Sequence, residues 1–100
     1  MLKVSVLVPT FNAQHHIEAT MRSLMAQSLE DIELCVLDDA STDDTVDIVR
    51  GLRDPRIRLN VNPVNLGLPA NLNIGLAMAR APYVARIDHD DLALPLRLAT

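Results

Sequence analysis

Four apolar runs recur along this chain at helix-length intervals, and each ends in polar or turn-forming residues. The first, Val4-Ser5-Val6-Leu7-Val8, is closed by Pro9. The second, Ile32-Glu33-Leu34-Cys35-Val36-Leu37, ends at Asp38-Asp39. Ile57-Arg58-Leu59-Asn60-Val61 is the third and Tyr83-Val84-Ala85-Arg86-Ile87 the fourth. Strands joined by connections of helix length are parallel, because a tight hairpin joins only antiparallel neighbours. Right-handed crossovers then put helices on both faces of the sheet. The pattern predicts a Rossmann-like three-layer α/β/α domain with a mostly parallel sheet, its first strand buried on both faces.

The segments between the runs carry helical periodicity. From Ala13 to about Gln27, Ile17, Met21, Leu24 and Met25 fall on one face, with Asn12 as the predicted N-cap. Thr42 or Asp43 is predicted to cap a second helix running to about Leu52, and Asp44 suits its positive end. Val46, Val49 and Leu52 are its expected inward positions, and Gly51 with Asp54-Pro55 terminates it. A loop follows the third strand and carries Asn65-Leu66-Gly67, where Asn65 and Gly67 read first as turn-formers. A third helix starts near Pro69, a first-turn residue, presents Leu72, Leu76 and Ala79, and stops at Ala81-Pro82.

In sheets of this kind ligands bind at the carboxyl ends of the strands, where the winding reverses. The polar residues gather there. Thr10 and Asn12 follow the first strand, Asp38 and Asp39 the second, and Asp88, Asp90 and Asp91 the fourth. Three carboxylates in four residues repel one another unless a cation sits among them. A hard divalent ion, Mg2+ or Mn2+, takes such oxygen ligands and keeps positions open for phosphate oxygens. The bland readings are a solvated acidic loop at Asp88-His89-Asp90-Asp91 and a helix-capping turn at Asp38-Asp39. The metal reading is favoured, since capping needs fewer carboxylates. The turn after the first strand, Pro9-Thr10-Phe11-Asn12-Ala13, has no glycine, so a Gly-rich pyrophosphate turn is excluded, and no Walker loop is present.

Composition narrows the partners. One hundred residues allow one domain at most, and 1–100 is read as a single unit. Phe11 and Tyr83 are the only aromatics and the net charge is −4 without a basic run, so a nucleic-acid surface is not expected. Cys35 lies in an apolar run and reads as a buried, inert thiol. His15 and His16 read as exposed, and His89 as a loop residue rather than a ligand. No run approaches the ~20 apolar residues of a membrane span, and residues 4–8 are too short for a signal-peptide core. The expected location is cytoplasmic, with the inner membrane face as a peripheral site.

At this point four pieces match one family in order and spacing. They are the 4–12 segment ending Pro9-Thr10-Phe11-Asn12; Glu33 to Asp43 with its Asp38-Asp39 pair; Asn65-Leu66-Gly67-Leu68-Pro69-Ala70-Asn71-Leu72-Asn73-Ile74-Gly75-Leu76; and Ile87-Asp88-His89-Asp90-Asp91. The chain resembles the N-terminal, nucleotide-binding half of an inverting family 2 glycosyltransferase with the GT-A fold. The resemblance implies a donor site for a UDP-, GDP- or dTDP-sugar, a glycan or lipid-linked acceptor, and a place in cell-surface polysaccharide biosynthesis. It implies that Pro9, Thr10, Phe11 and Asn12 line the base, with Phe11 at a position often held by a stacking aromatic. Asp39 would accept a hydrogen bond from the base, supported by Asp38, and Asn65 and Gly67 complete the nucleotide-binding set. Asp88-His89-Asp90 matches the family's Asp-x-Asp motif: Asp90 would bind the Mn2+ or Mg2+ that bridges the diphosphate, Asp88 would reach the ribose or sugar, and Asp91 would add a further metal-side contact.

Two departures bear on these implications. The third motif often carries an Arg two residues after its Ala, and here that residue is Leu72, preceded by Asn71, which leaves nucleotide choice open. The family also continues into an acceptor-binding half that supplies the catalytic base. The expectation is therefore a truncated, inactive piece whose base lies elsewhere, with an apolar seam that promotes self-association. Two other classes compete with this one. A haloacid-dehalogenase-type phosphoryl-transfer enzyme uses an Asp-x-Asp nucleophile motif, but after its first strand and with Thr or Val where Leu92 stands. A response-regulator receiver needs a Lys near its end, and Lys3 is the only lysine here.

Overall fold

The computed structural model describes residues 2–27 and 31–87. Its strands are β1 (Val4–Thr10), β2 (Ile32–Asp38), β3 (Ile57–Val61) and β4 (Tyr83–Arg86), and its helices α1 (Ile17–Met25), α2 (Thr45–Gly51) and α3 (Leu68–Met78). All described strand pairs are parallel, in the order β3-β2-β1-β4. The chain steps outward from β1 to β3, then returns to the other side of β1. The winding therefore reverses between β1 and β4, which is where such sheets open a crevice at their carboxyl ends.

Alternation along the two central strands divides the core. Val6 and Val8 of β1, with Leu34 and Val36 of β2, face α1 and α2 and pack with Ile17, Met21, Leu24 and Val49. Leu7, Cys35 and Leu37 face the other way, toward Met78 of α3. Six of the seven β1 residues and all seven of β2 are buried, as expected of strands covered on both sides. Cys35 is buried, and burial, with the Glu33 charge behind it, pushes its thiol above the usual range.

The structure corrects several local expectations. Helix α1 begins at Ile17 rather than Ala13, after a turn in which His16 and Ile17 donate to the Ala13 carbonyl. Asn12 does not cap it: the residue sits at φ 49°, and its side chain turns to the loop after β2. In α2 the buried positions are Thr45 and Val49, with Ile48 and Leu52 beside them, and Val46 lies outside that cluster. Asp43 lies before the helix and accepts the Thr45 N–H at 3.0 Å. The largest correction is α3, which buries Asn71 and Gly75 and leaves Leu76 55% exposed. Gly75 permits this rotation by allowing close approach, since a Cβ there would lie 2.5 Å from Leu37 Cδ1. No described helix is long and apolar enough to cross a membrane.

Candidate functional site

The site is built where β1 and β2 end. Thr10 and Asp38 are register partners, and the Thr10 hydroxyl donates to Asp38 Oδ1 at 2.9 Å. Asp38 is fully buried and also accepts the Ser41 hydroxyl at 2.6 Å and the Ser41 N–H at 2.9 Å. A carboxylate with three donors forms the hinge about which the chain turns out of β2, through Ala40 at φ 62°.

The loops after β1 and β2 interlock through short polar side chains. Asn12 N–H donates to Ser41 Oγ at 2.9 Å, and Thr42 N–H returns a bond to Asn12 Oδ1 at 2.8 Å. Ala13 N–H donates to Thr45 Oγ1 at 2.8 Å, and Gln14 N–H to Asp43 Oδ2 at 3.2 Å. Burial pushes the Asp43 carboxyl up, but the hydroxyl and N–H of Thr45 and the N–H of Gln14 outweigh it and hold Asp43 below the usual range. These bonds tie backbone N–H groups of the first loop to side chains 29 to 32 residues on, and so fix the turn carrying Phe11. Phe11 is 46% exposed, so it is a rim residue and not part of the core.

Asp39 joins this edge to the next loop. Its Oδ1 accepts the Leu66 N–H at 2.8 Å and the Asn62 amide at 3.0 Å, and its Oδ2 accepts the Gly67 N–H at 2.9 Å. Asn65 adds a bond to the Asp39 carbonyl at 3.2 Å. Burial pushes the Asp39 carboxyl up, but the Leu66 N–H, the Asn62 amide and the Gly67 N–H together hold it below the ordinary range. It therefore remains an anion at the N-terminal end of α3, which favours negative charge. Gly67 stands at φ 89° and ψ 158°, a conformation open essentially to glycine alone.

Pro9, Thr10, Phe11, Asn12, Asp38, Asp39, Asn65 and Gly67 thus meet at one edge of the sheet. On the far side of β1 the Ile87 N–H donates to the Leu7 carbonyl at 3.0 Å, so β4 runs toward the same edge. Asp88, Asp90 and Asp91, the predicted metal ligands, lie outside the described residues. Among the described residues no group of three or more His, Cys, Asp or Glu could hold a metal ion. The sequence reading missed Ser41, Thr45, Asn62 and Asn71. The signal for Asn71 was its placement four residues before Gly75, which puts an amide and a gap on one helical face.

Comparison with known proteins locates this arrangement. The sequence profile of glycosyl transferase family 2 matches residues 5–100. A Campylobacter jejuni GalNAc(5)-diNAcBac-PP-undecaprenol beta-1,3-glucosyltransferase is 40% identical, with the match covering 100% of this chain and 33% of that protein. S. aureus TarS (1–349) in complex with UDP-GlcNAc superposes with a TM-score of 0.92 at 32% identity, over 98% of this chain and 29% of TarS. The mannosyltransferase PcManGT from Pyrobaculum calidifontis, in complex with GDP-Man and Mn2+, gives a TM-score of 0.84 at 31% identity, over 90% of this chain and 28% of its own. The chain spans about a third of the length of the curated relatives it matches.

Proposed function

The chain belongs to glycosyl transferase family 2, and from that premise we propose that residues 1–100 form the donor-binding part of a GT-A transferase. It takes a nucleotide-diphospho-sugar, with UDP, GDP and dTDP as the candidate carriers, for inverting transfer to a glycan or lipid-linked hydroxyl. The observation that carries this reading is the continuous polar edge from Thr10 through Asp39 to Gly67 at the carboxyl ends of β1, β2 and β3, beside the point between β1 and β4 where the winding of the sheet reverses. The TarS and PcManGT complexes hold UDP-GlcNAc and GDP-Man on the same fold.

Each residue then has a task. Phe11, half exposed on a turn pinned by Asn12, stacks against the base. Asp39 accepts a ring N–H of the base on Oδ2, which has one protein donor against two on Oδ1. Asp38 holds Thr10 and Ser41 behind it, and Asn65 and Gly67 close the edge. Asp90, with Asp88 and Asp91, holds Mn2+ or Mg2+, for which three carboxylates in four residues are a suitable all-oxygen donor set. A divalent ion bound there supplies charge neutralisation for the diphosphate as it leaves. The acceptor hydroxyl attacks the anomeric carbon from the opposite side, and a carboxylate outside these residues takes its proton. The haloacid-dehalogenase alternative yields to the family match. A cytoplasmic position, with access to lipid-linked acceptors at the membrane face, completes the proposal.

Calorimetric titration of UDP and GDP into the chain, with and without Mn2+, tests it. Metal-dependent binding that is lost in Asp90→Ala is the expected result. A folded chain that binds neither nucleotide overturns it.

A further inference from the structure

Behind Asp39 lies a buried amide relay. Asn62 follows β3 and is 4% exposed, while Asn71 lies on the inner face of α3 and is 1% exposed. Asn71 Nδ2 donates to the Leu37 carbonyl of β2 at 2.8 Å, and its Oδ1 accepts from Asn62 Nδ2 at 3.0 Å. The same Asn62 Nδ2 donates to Asp39 Oδ1 at 3.0 Å, and Asn62 Oδ1 accepts from Asn60 at 2.9 Å. An amide NH2 has two hydrogens, and those of Asn62 are both used, one on Asp39 and one on Asn71. The direction of the chain is thereby fixed. Turning Asn71 over would set its NH2 against that of Asn62, and turning Asn62 over would set its oxygen against the Asp39 carboxylate, each at the cost of unmade bonds in a buried site.

Two buried amides in the core layer of a small domain need a reason, because apolar side chains of similar size would fill the space. Their effect is to set one side of Asp39. The carboxylate is held by Asn62 from below and by the Leu66 and Gly67 N–H groups from the loop. Because Asn71 sits on α3, the relay also registers that helix, and hence the loop at its start, against β2.

We propose that Asn62 and Asn71 are positioning residues for the nucleotide base: without touching it, they hold Oδ1 of Asp39, and thereby the orientation in which the carboxylate presents Oδ2, together with the 62–67 loop. The proposal rests on the donor-site reading above, so its test has one arm that needs no ligand. In that arm, hydrogen exchange of the Leu66 and Gly67 amides is compared in the parent chain, Asn71→Ala and Asn62→Ser. Amides of β1 and β2 report global stability. The expected result is faster exchange at Leu66 and Gly67, beyond the change in β1 and β2. In the second arm, UDP and inorganic pyrophosphate are titrated with Mn2+. UDP affinity is expected to fall roughly tenfold in each variant, while pyrophosphate affinity stays within about twofold.

Unchanged loop protection in both variants overturns the proposal. So does an equal loss for UDP and pyrophosphate, which marks a merely structural role. A parent chain that binds neither UDP nor GDP overturns the donor-site reading and with it the ligand role given to the relay. The exchange arm then still decides whether the relay fixes the loop.

Discussion

Arg80 reaches the Glu33 carboxylate twice, with its backbone N–H at 2.8 Å on Oε2 and its side-chain Nε at 3.0 Å on Oε1. The contact joins the exit of α3 to the start of the buried strand β2, 47 residues away in the chain. Arg58 adds a bond to Oε1 at 3.0 Å, and the Ser5 hydroxyl donates to Oε2 while accepting the Ala81 N–H. Burial pushes the Glu33 carboxyl up, but the Ser5 hydroxyl, the Arg80 N–H and the two guanidinium groups outweigh it and hold its pKa at about 2.

The sign of the resulting pH dependence follows. A folded-state pKa below the unfolded value means that the unfolded chain binds the proton more readily. Stability from Glu33 is therefore full above the unfolded pKa of 4.5 and is lost as the pH falls toward about 2. The drop corresponds to about 3 kcal/mol. Urea unfolding of the parent and Glu33→Gln should show a gap of that order at neutral pH, narrowing steadily below about pH 4. A gap that does not change with acid would mean that the Glu33 charge contributes nothing. Arg80→Ala should cost less, about 1 kcal/mol, because that side chain is 60% exposed and the backbone N–H bond survives.

Thr45 is the buried pin between the two site loops. Its hydroxyl donates to Asp43 and accepts the Ala13 N–H, and the residue is fully buried. Valine matches its shape and removes both bonds, leaving a buried N–H without an acceptor. Thr45→Val should cost about 1–3 kcal/mol, and Thr45→Ser, which keeps the hydroxyl, about 1 kcal/mol or less. Equal costs for the two variants in urea melts would show that the methyl group, not the hydroxyl, holds the loops.

The strands were legible because their runs are apolar and evenly spaced, so Ile57 to Val61 and the parallel pairing follow from pattern, while the order β3-β2-β1-β4 came only with the structure. The polar edge was legible for the same reason: strand ends are marked by the change from Leu37 to Asp38. What escaped were contacts whose partners are distant in sequence. Asn12 looks like a helix cap locally, yet its side chain answers Thr42, 30 residues on. Glu33 sits in an apolar run and only the folded chain brings Arg58 and Arg80 to it. In α3 apolarity pointed to Leu72 and Leu76, while the packing face is made by an amide and a glycine that let the backbone approach β2.

The outer surface of this sheet predicts association. β4 stands at one end of the described strand order, with Tyr83 72% and Val84 45% exposed, and Leu76 lies open on the outer side of α3. An edge strand with apolar side chains is a template for pairing. Sedimentation velocity over a hundredfold range of concentration should show self-association, and Val84→Lys should reduce it. A chain that remains monomeric throughout would show that these residues present no working seam.

In the proposed donor site the base preference is assigned to Asp39, and its surroundings give the expected selectivity. Two donors already occupy Oδ1 and one occupies Oδ2, so the acceptor capacity left to a ligand lies on Oδ2. The surrounding N–H groups keep the group ionised and therefore unable to donate. Uracil, thymine and guanine present a ring N–H to such an acceptor, whereas cytosine and adenine present a ring nitrogen lone pair at the corresponding position. UDP and GDP should bind more tightly than CDP and ADP by about tenfold or more, because a mismatch sets lone pair against carboxylate. Asp39→Asn preserves the shape but must turn an NH2 toward either the Leu66 or the Gly67 N–H. That conflict should loosen the loop by about 1–3 kcal/mol and compress the discrimination between UDP and CDP. Titration of the four diphosphates into parent and variant checks both effects together. Retained discrimination in a variant with a loosened loop would move the base contact away from Asp39, leaving the turn at Phe11 and Asn12 as its carrier.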